Sequence, residues 1–304
     1  MKKIVKIIGI LFSVLLVLFL NPIKSVVAHN GFDEATEAAN IVSQWNLWMV
    51  VALIVILMVY VYQFKTEEDF IKKFAFFFSA LVVLYVSLGS PLHVLGDHYL
   101  FSAHMLEQSL IYTLLPPLLL LGLPKRLIAP IIRVGLRTKI LSFLKRPLIP
   151  LLLFNVLFSF YHLPLIFNLV VGNSMLHNLM HLILTVTAFF MWIPLIPMVK
   201  ELDKLSEIHK IGYIFAAGML LTPACALIIF SDQSFYTVYS DAPQLFASLP
   251  PLEDQRTGGI VMKIVQEIVY STVIGYIFFK WARKEKVDEI DALPSNFTVG
   301  GVNQ

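Results

Sequence analysis

The chain has 304 residues, of which 58 % are hydrophobic and 14 % charged, and its mean hydropathy is +0.79. That exceeds ordinary soluble composition and excludes a pair of soluble domains, so the chain reads as an all-α polytopic membrane protein whose first partner is the lipid bilayer. The net charge of +3 does not point to nucleic acid, because Lys and Arg stand in blocks between apolar runs, where they set orientation.

In chain order, Met1-Lys2-Lys3, an apolar run from Ile4 to Leu20 and the small residue Ala28 have the layout of a secretory signal peptide. Cleavage after Ala28 would leave His29 first, whereas retention would add an eighth span. Seven further apolar runs follow: Val42–Phe64, Phe74–Leu92, Tyr99–Leu123, Pro147–Val171, Met175–Val199, Ile211–Phe230 and Gly258–Phe279. Each is near the length of about 20 residues that a transmembrane helix needs. The expected layout is a signal peptide over 1–28, a seven-helix membrane domain over 29–286 and a disordered tail over 287–304.

Every second connection is basic. Lys65, Lys72 and Lys73 fill one, the block from Lys125 to Arg146 another, Lys200, Lys204 and Lys210 a third, and Lys280, Arg283, Lys284 and Lys286 follow the last run. The intervening connections, Pro91–His98, Gly172–Ser174 and Ser231–Thr257, carry only Arg256. The positive-inside rule then places the mature N-terminus outside and the C-terminus in the cytoplasm. Leu127, Ile128, Ile131, Ile132, Val134, Leu136 and Ile140 give the basic connection the pattern of an amphipathic helix on the inner surface. The lone Cys225 excludes an internal disulfide and has no CxxC partner.

Polar residues inside these runs are costly and mark candidate sites. The run from Tyr99 holds His104, Glu107 and Gln108 in its first turns, and its Pro116-Pro117 pair frees backbone groups that neighbouring helices must satisfy. The topology puts seven of the eight histidines on the outer side, with His104, His162, His177 and His181 on three helices at similar depth. His177 and His181, in HNLMH, are spaced i, i+4 and share a helical face, as two imidazoles on one metal ion do. Asn178 stands where a zinc hydrolase needs its general base Glu, which disfavours a hydrolase, and the expected role is binding rather than that of an enzyme. His98 joins the candidate metal ligands from the adjoining loop. Met105, Met175 and Met180 lie near the same depth, and thioether with imidazole suits copper better than magnesium or calcium. Glu107 would orient a ligand histidine through its other ring nitrogen. Asp232, Asp241, Glu253 and Asp254 make the outer loop acidic and would draw cations. Three alternatives stay open: hydrogen-bonding polar groups between helices, a copper transporter, and a haem or quinone redox protein with paired axial histidines. Lys263 and Glu267, one turn apart, read as a neutralising pair.

Three stretches, SAHMLEQSLIYTLLPPLLLLGLP, YHLPLIFNLVVGNSMLHNLMHLILTVTAFFMWIPLIP and PLEDQRTGGIVMKI, resemble the signature regions of the CtaG family, the multi-spanning bacterial membrane proteins that assemble cytochrome caa3 oxidase. The resemblance runs from about Ser90 to Trp281. It implies seven spans, a role in maturing a haem-copper oxidase, copper as the metal, and oxidase subunits as partners. His104, Met105, His162, His177, His181, Asp254, Gln255, Gly258 and Gly259 are the motif positions. Two positions depart from the pattern: Gln108 replaces a second histidine, removing a potential ligand, and Lys263 replaces an aromatic residue.

Overall fold

The computed structural model describes residues 44–138 and 141–292, with side chains as far as Lys286. The expected signal peptide and all but the first residues of the expected tail lie outside these residues. Every regular element among them is helical: α1 (Leu47–Phe64), α2 (Phe70–Leu88), α3 (Pro91–His98), α4 (Phe101–Ser109), a π-helical turn (Leu110–Leu114), α5 (Leu115–Gly122), α6 (Lys125–Leu136), α7 (Leu148–Tyr161), α8 (Pro164–Val171), α9 (Ser174–Trp192), α10 (Glu207–Ile229), α11 (Thr237–Ser240) and α12 (Pro251–Ala292), with 3-10 turns at Ser142–Lys145 and Lys200–Leu202. Six straight segments are long and apolar enough to cross a membrane, and the bent pair α7–α8 brings the count to seven where it is one broken span.

The segment Phe101–Gly122 is the centre of the molecule: 72 % of its apolar window is buried, against 28–39 % for the other straight spans. α12 packs on α10 and α4, α2 on α5, α3 on α4, and α9 and α10 on α7. The proline pair explains the π turn. Leu115 donates its N–H to the Leu110 carbonyl, five residues back, and this shift of register places Pro116 and Pro117 in the first turn of α5, where their missing N–H groups cost little.

Proline and its neighbours also correct several expected boundaries. α2 ends at Leu88, four residues before the expected stop, because Pro91 starts a new helix. Ser90, extended at φ −102° and ψ 170°, caps it by accepting from the Leu92 N–H at 3.2 Å. The connection Pro91–His98 is therefore helix α3 rather than loop. The expected span Pro147–Val171 bends by 79° between α7 and α8, because Leu163, ahead of Pro164, is extended at ψ 131°. Pro194 and Pro197 stop α9 at Trp192. The last helix is longer than its apolar run at both ends: Pro251 suits a first helical turn, and Glu253 and Asp254 complement the dipole there, so PLEDQRTGG is helix rather than loop. At its other end the helix runs on to Ala292, past residue 286, where the tail was expected to begin.

The expected amphipathic helix is α6. It buries Leu127, Ala129 and Leu136, and its Arg126 pairs with Glu67 at 2.6 Å while Arg133 faces Glu201 at 3.5 Å. Lys263 and Glu267 pair at 2.7 Å as expected.

Candidate metal centre

Three imidazoles meet at one end of the central segment. His104 from α4 and His177 and His181 from α9 are all buried, and one ring nitrogen from each lies within 4.8 Å of the others. Ring centroids are 5.4 Å apart for His104 and His177, 5.3 Å for His104 and His181, and 4.4 Å for His177 and His181. α9 begins at Asn173, whose side chain accepts from the N–H groups of Met175 and Leu176 at 3.0 and 3.2 Å, and this cap sets both histidines in the first two turns on one face.

α4 has no cap of its own, and Asp254 of α12 supplies one. Its carboxylate accepts from the Phe101 N–H at 2.6 Å, the Ser102 N–H at 3.1 Å and the Ser102 hydroxyl. Gly258, one turn on, lets the helices close: a Cβ there would stand 2.6 Å from the Phe101 ring and 3.0 Å from Met105 Cγ. On the other side Gly96 of α3 approaches the backbone of His104, where a Cβ would lie at 3.0 Å, and its carbonyl accepts from the Tyr239 hydroxyl at 2.7 Å. His104 thus sits on a helix start held by α12, with α3 packed closely against its own backbone.

Each imidazole has one nitrogen facing a polar group and the other free. His104 Nε2 lies 2.8 Å from Gln108 Nε2 and 3.4 Å from the Tyr161 hydroxyl; His181 Nδ1 lies 3.0 Å from the Tyr112 hydroxyl; His177 Nε2 faces Asp97 Oδ1 at 3.7 Å. His104 Nδ1, His177 Nδ1 and His181 Nε2 are buried and have no hydrogen-bond partner. An unpaired buried polar atom costs roughly 1–3 kcal/mol, and three on neighbouring imidazoles suit a ligand that takes lone pairs. The set fits a metal ion: histidines that bind metal are held through their other nitrogen. Gln108 fits as well. When Nδ1 is the ligand, Nε2 carries the proton, and the amide turns its oxygen, which is buried and unpartnered, to accept it.

The other expected ligands stand elsewhere. His162 is buried at the end of α7, where its Nδ1 lies 2.8 Å from the Phe158 carbonyl oxygen and its Nε2 has no partner, but it is not part of the three-histidine group. Met105 is fully buried against α12, Met175 is 80 % exposed, and His98 is exposed beside Tyr99. The donors that converge are therefore nitrogens. Asp254 caps a helix instead of facing a ligand, and Glu253 pairs with Arg256 at 2.9 Å, so half of the expected acidic attraction is engaged. Gln255 accepts from the Phe235 N–H at 2.7 Å, and Asn168 donates to the Phe235 carbonyl at 2.9 Å, tying down the segment before α12.

Glu107 does hold a histidine, but it is His93 of α3, whose Nδ1 lies 3.1–3.2 Å from both carboxylate oxygens. Burial lowers the pKa of His93, yet the Glu107 carboxylate outweighs it, with Asp97 adding to the effect, and the group is held at about 9. His93, Asp97 and Glu107 form a second group of possible ligands, each again with an atom within 4.8 Å of the others. The sequence reading missed His93 and Asp97 as site residues. Their i, i+4 spacing after Ser90-Pro91, a helix start, is the signal that would have found them.

The profile of a family described as cytochrome c oxidase caa3 assembly factor (Caa3_CtaG) matches residues 57–284. The chain belongs to this family. The match begins inside α1 and ends inside α12, so this Caa3_CtaG protein carries both histidine-containing groups and the Asp254–Gly259 support within the family region. Comparisons with curated proteins and with solved structures give no match.

Proposed function

We propose that this protein takes up copper at His104, His177 and His181 on the outer side of the membrane and passes it to a cytochrome c oxidase during assembly. The observation that carries this is the convergence of three buried imidazoles, each with one nitrogen free and the other facing a polar side chain. Copper is cargo here. Three nitrogen ligands leave a coordination position open, through which an acceptor residue of an oxidase subunit can enter before the histidines let go. With no thioether in the group, selection for copper over zinc rests on coordination number and on the acceptor. The family supplies the oxidase as partner, and the basic connections supply the orientation, with the C-terminus in the cytoplasm.

The role is binding rather than catalysis, because Asn178 offers no general base beside the histidine pair. His177 and His181 do not suit a haem between them: they sit one turn apart on one face with rings 4.4 Å apart, so they cannot take opposite sides of a macrocycle. The test is copper content of the purified protein and oxidase activity in cells for wild type, His104→Ala, His177→Ala and the double variant. A single site predicts that one substitution loses most of the copper and the second adds little. Unchanged copper, with losses of stability that simply add, would leave the histidines as helix-to-helix contacts.

A further inference from the structure

We propose that the centre holds two cations, one at His104, His177 and His181 and a second, divalent one at His93, Asp97 and Glu107, with Asp97 joining the two. The copper reading is assumed for the first ion only. Asp97 turns a different carboxylate oxygen to each group: Oδ1 lies 3.7 Å from His177 Nε2 and Oδ2 lies 3.6 Å from His93 Nε2. Both distances are too long for hydrogen bonds, and Oδ1 is a buried atom without a hydrogen-bond partner. A carboxylate placed in this way can bind one ion while orienting a histidine that binds the other.

Charge points the same way. Glu107 is 1 % exposed, and among the described residues no Lys or Arg pairs with it or with Asp97; their ion-pair partners are histidines alone. Protonated His93 matches one of the two carboxylates and leaves the other without a cation, and a divalent ion that takes the place of the His93 proton would neutralise both. The donor sets also differ in kind. Three imidazoles suit copper, whereas one imidazole with two carboxylates suits a harder divalent ion such as manganese, and either set can take zinc. Access differs too: the His93 and Asp97 side chains are 21 % and 27 % exposed, while His104 is fully buried.

The experiment loads the full-length protein, purified in detergent, with Zn(II) alone or Cu(II) alone and counts bound metal after removal of the excess. Two equivalents are expected for wild type, and one for Asp97→Asn and for Glu107→Gln, near-isosteric changes that keep the hydrogen-bonding shape. With Cu(II), the second equivalent should weaken the paramagnetic resonance signal of the first, because ions this close couple. One equivalent in wild type, two in both carboxamide variants, or a second equivalent that adds a full uncoupled signal would each overturn the proposal. Failure of the copper reading looks different: His104→Ala and His177→Ala would then bind as much metal as wild type.

Discussion

Gln108 occupies the position at which the family pattern has a further histidine, and it lies 2.8 Å from His104 Nε2. Where the resemblance leads one to expect a further imidazole ligand, the chain has an amide placed to orient His104. Gln108→Leu keeps the volume but cannot accept the imidazole proton, and copper affinity should fall about 10–100-fold, as for other residues that hold a ligand histidine; competition with a chelator of known affinity would measure it, and an unchanged affinity would mean that Gln108 is mere packing. His93 offers a second prediction, in pH. Its pKa of about 9 lies above the ordinary 6.5, so the stability that its positive charge contributes through Glu107 is lost as pH rises through about 9. The thermal midpoint of the metal-free protein should fall as pH rises through about 9 in wild type, and that step should be missing in His93→Gln. His104, His177 and His181 were legible in the sequence because an imidazole in an apolar run is expensive and because i, i+4 spacing fixes a shared face. Asp97 was legible only in part: its i, i+4 spacing from His93 puts the two on one face, but that this face meets His177 depends on α3 folding back over α4, a contact that no local pattern encodes.

The elements show why signature residues need not touch a ligand. Asp254, Gln255 and Gly258 read as candidate site positions, yet they place α12 against α4: one caps it, one secures the preceding segment, and one is small. Gly258→Ala would drive a methyl group to 2.6 Å from the Phe101 ring and should cost about 1–3 kcal/mol. Gly275, in the same helix with open space around its Cβ position, is the control, and Gly275→Ala should be neutral or slightly stabilising. Thermal unfolding of both variants decides whether close approach or helix propensity governs α12. Helix existence was legible from run length, but ends were not, because apolarity marks what dissolves in lipid while Ser90-Pro91, Pro164 and Pro194 mark where the backbone must turn. The bend before Pro164 is the clearest case: hydropathy is continuous across it, and only the constraint on Leu163 breaks the helix.

On the scale of the whole molecule, the alternation of basic connections makes a prediction about sidedness. Reporter fusions after Phe64, Arg126 and Trp281 should be cytoplasmic, and an insertion within Phe235–Leu249 should be outside. An external Arg126 fusion would put the metal centre on the cytoplasmic side and remove the route to an oxidase acceptor outside. The bend between α7 and α8 bears on the surrounding lipid. α7 has 14 residues and is about 21 Å long, well short of a hydrocarbon layer of about 30 Å, and α8 leaves it at 79°. A short, bent helix of this kind creates a hydrophobic mismatch at the end where Tyr161 and His162 sit, which thinning of the bilayer would relieve. Copper loading is then expected to depend on membrane thickness: in nanodiscs of longer acyl chains such thinning costs more, and copper should reach the buried histidines more slowly than in thin ones.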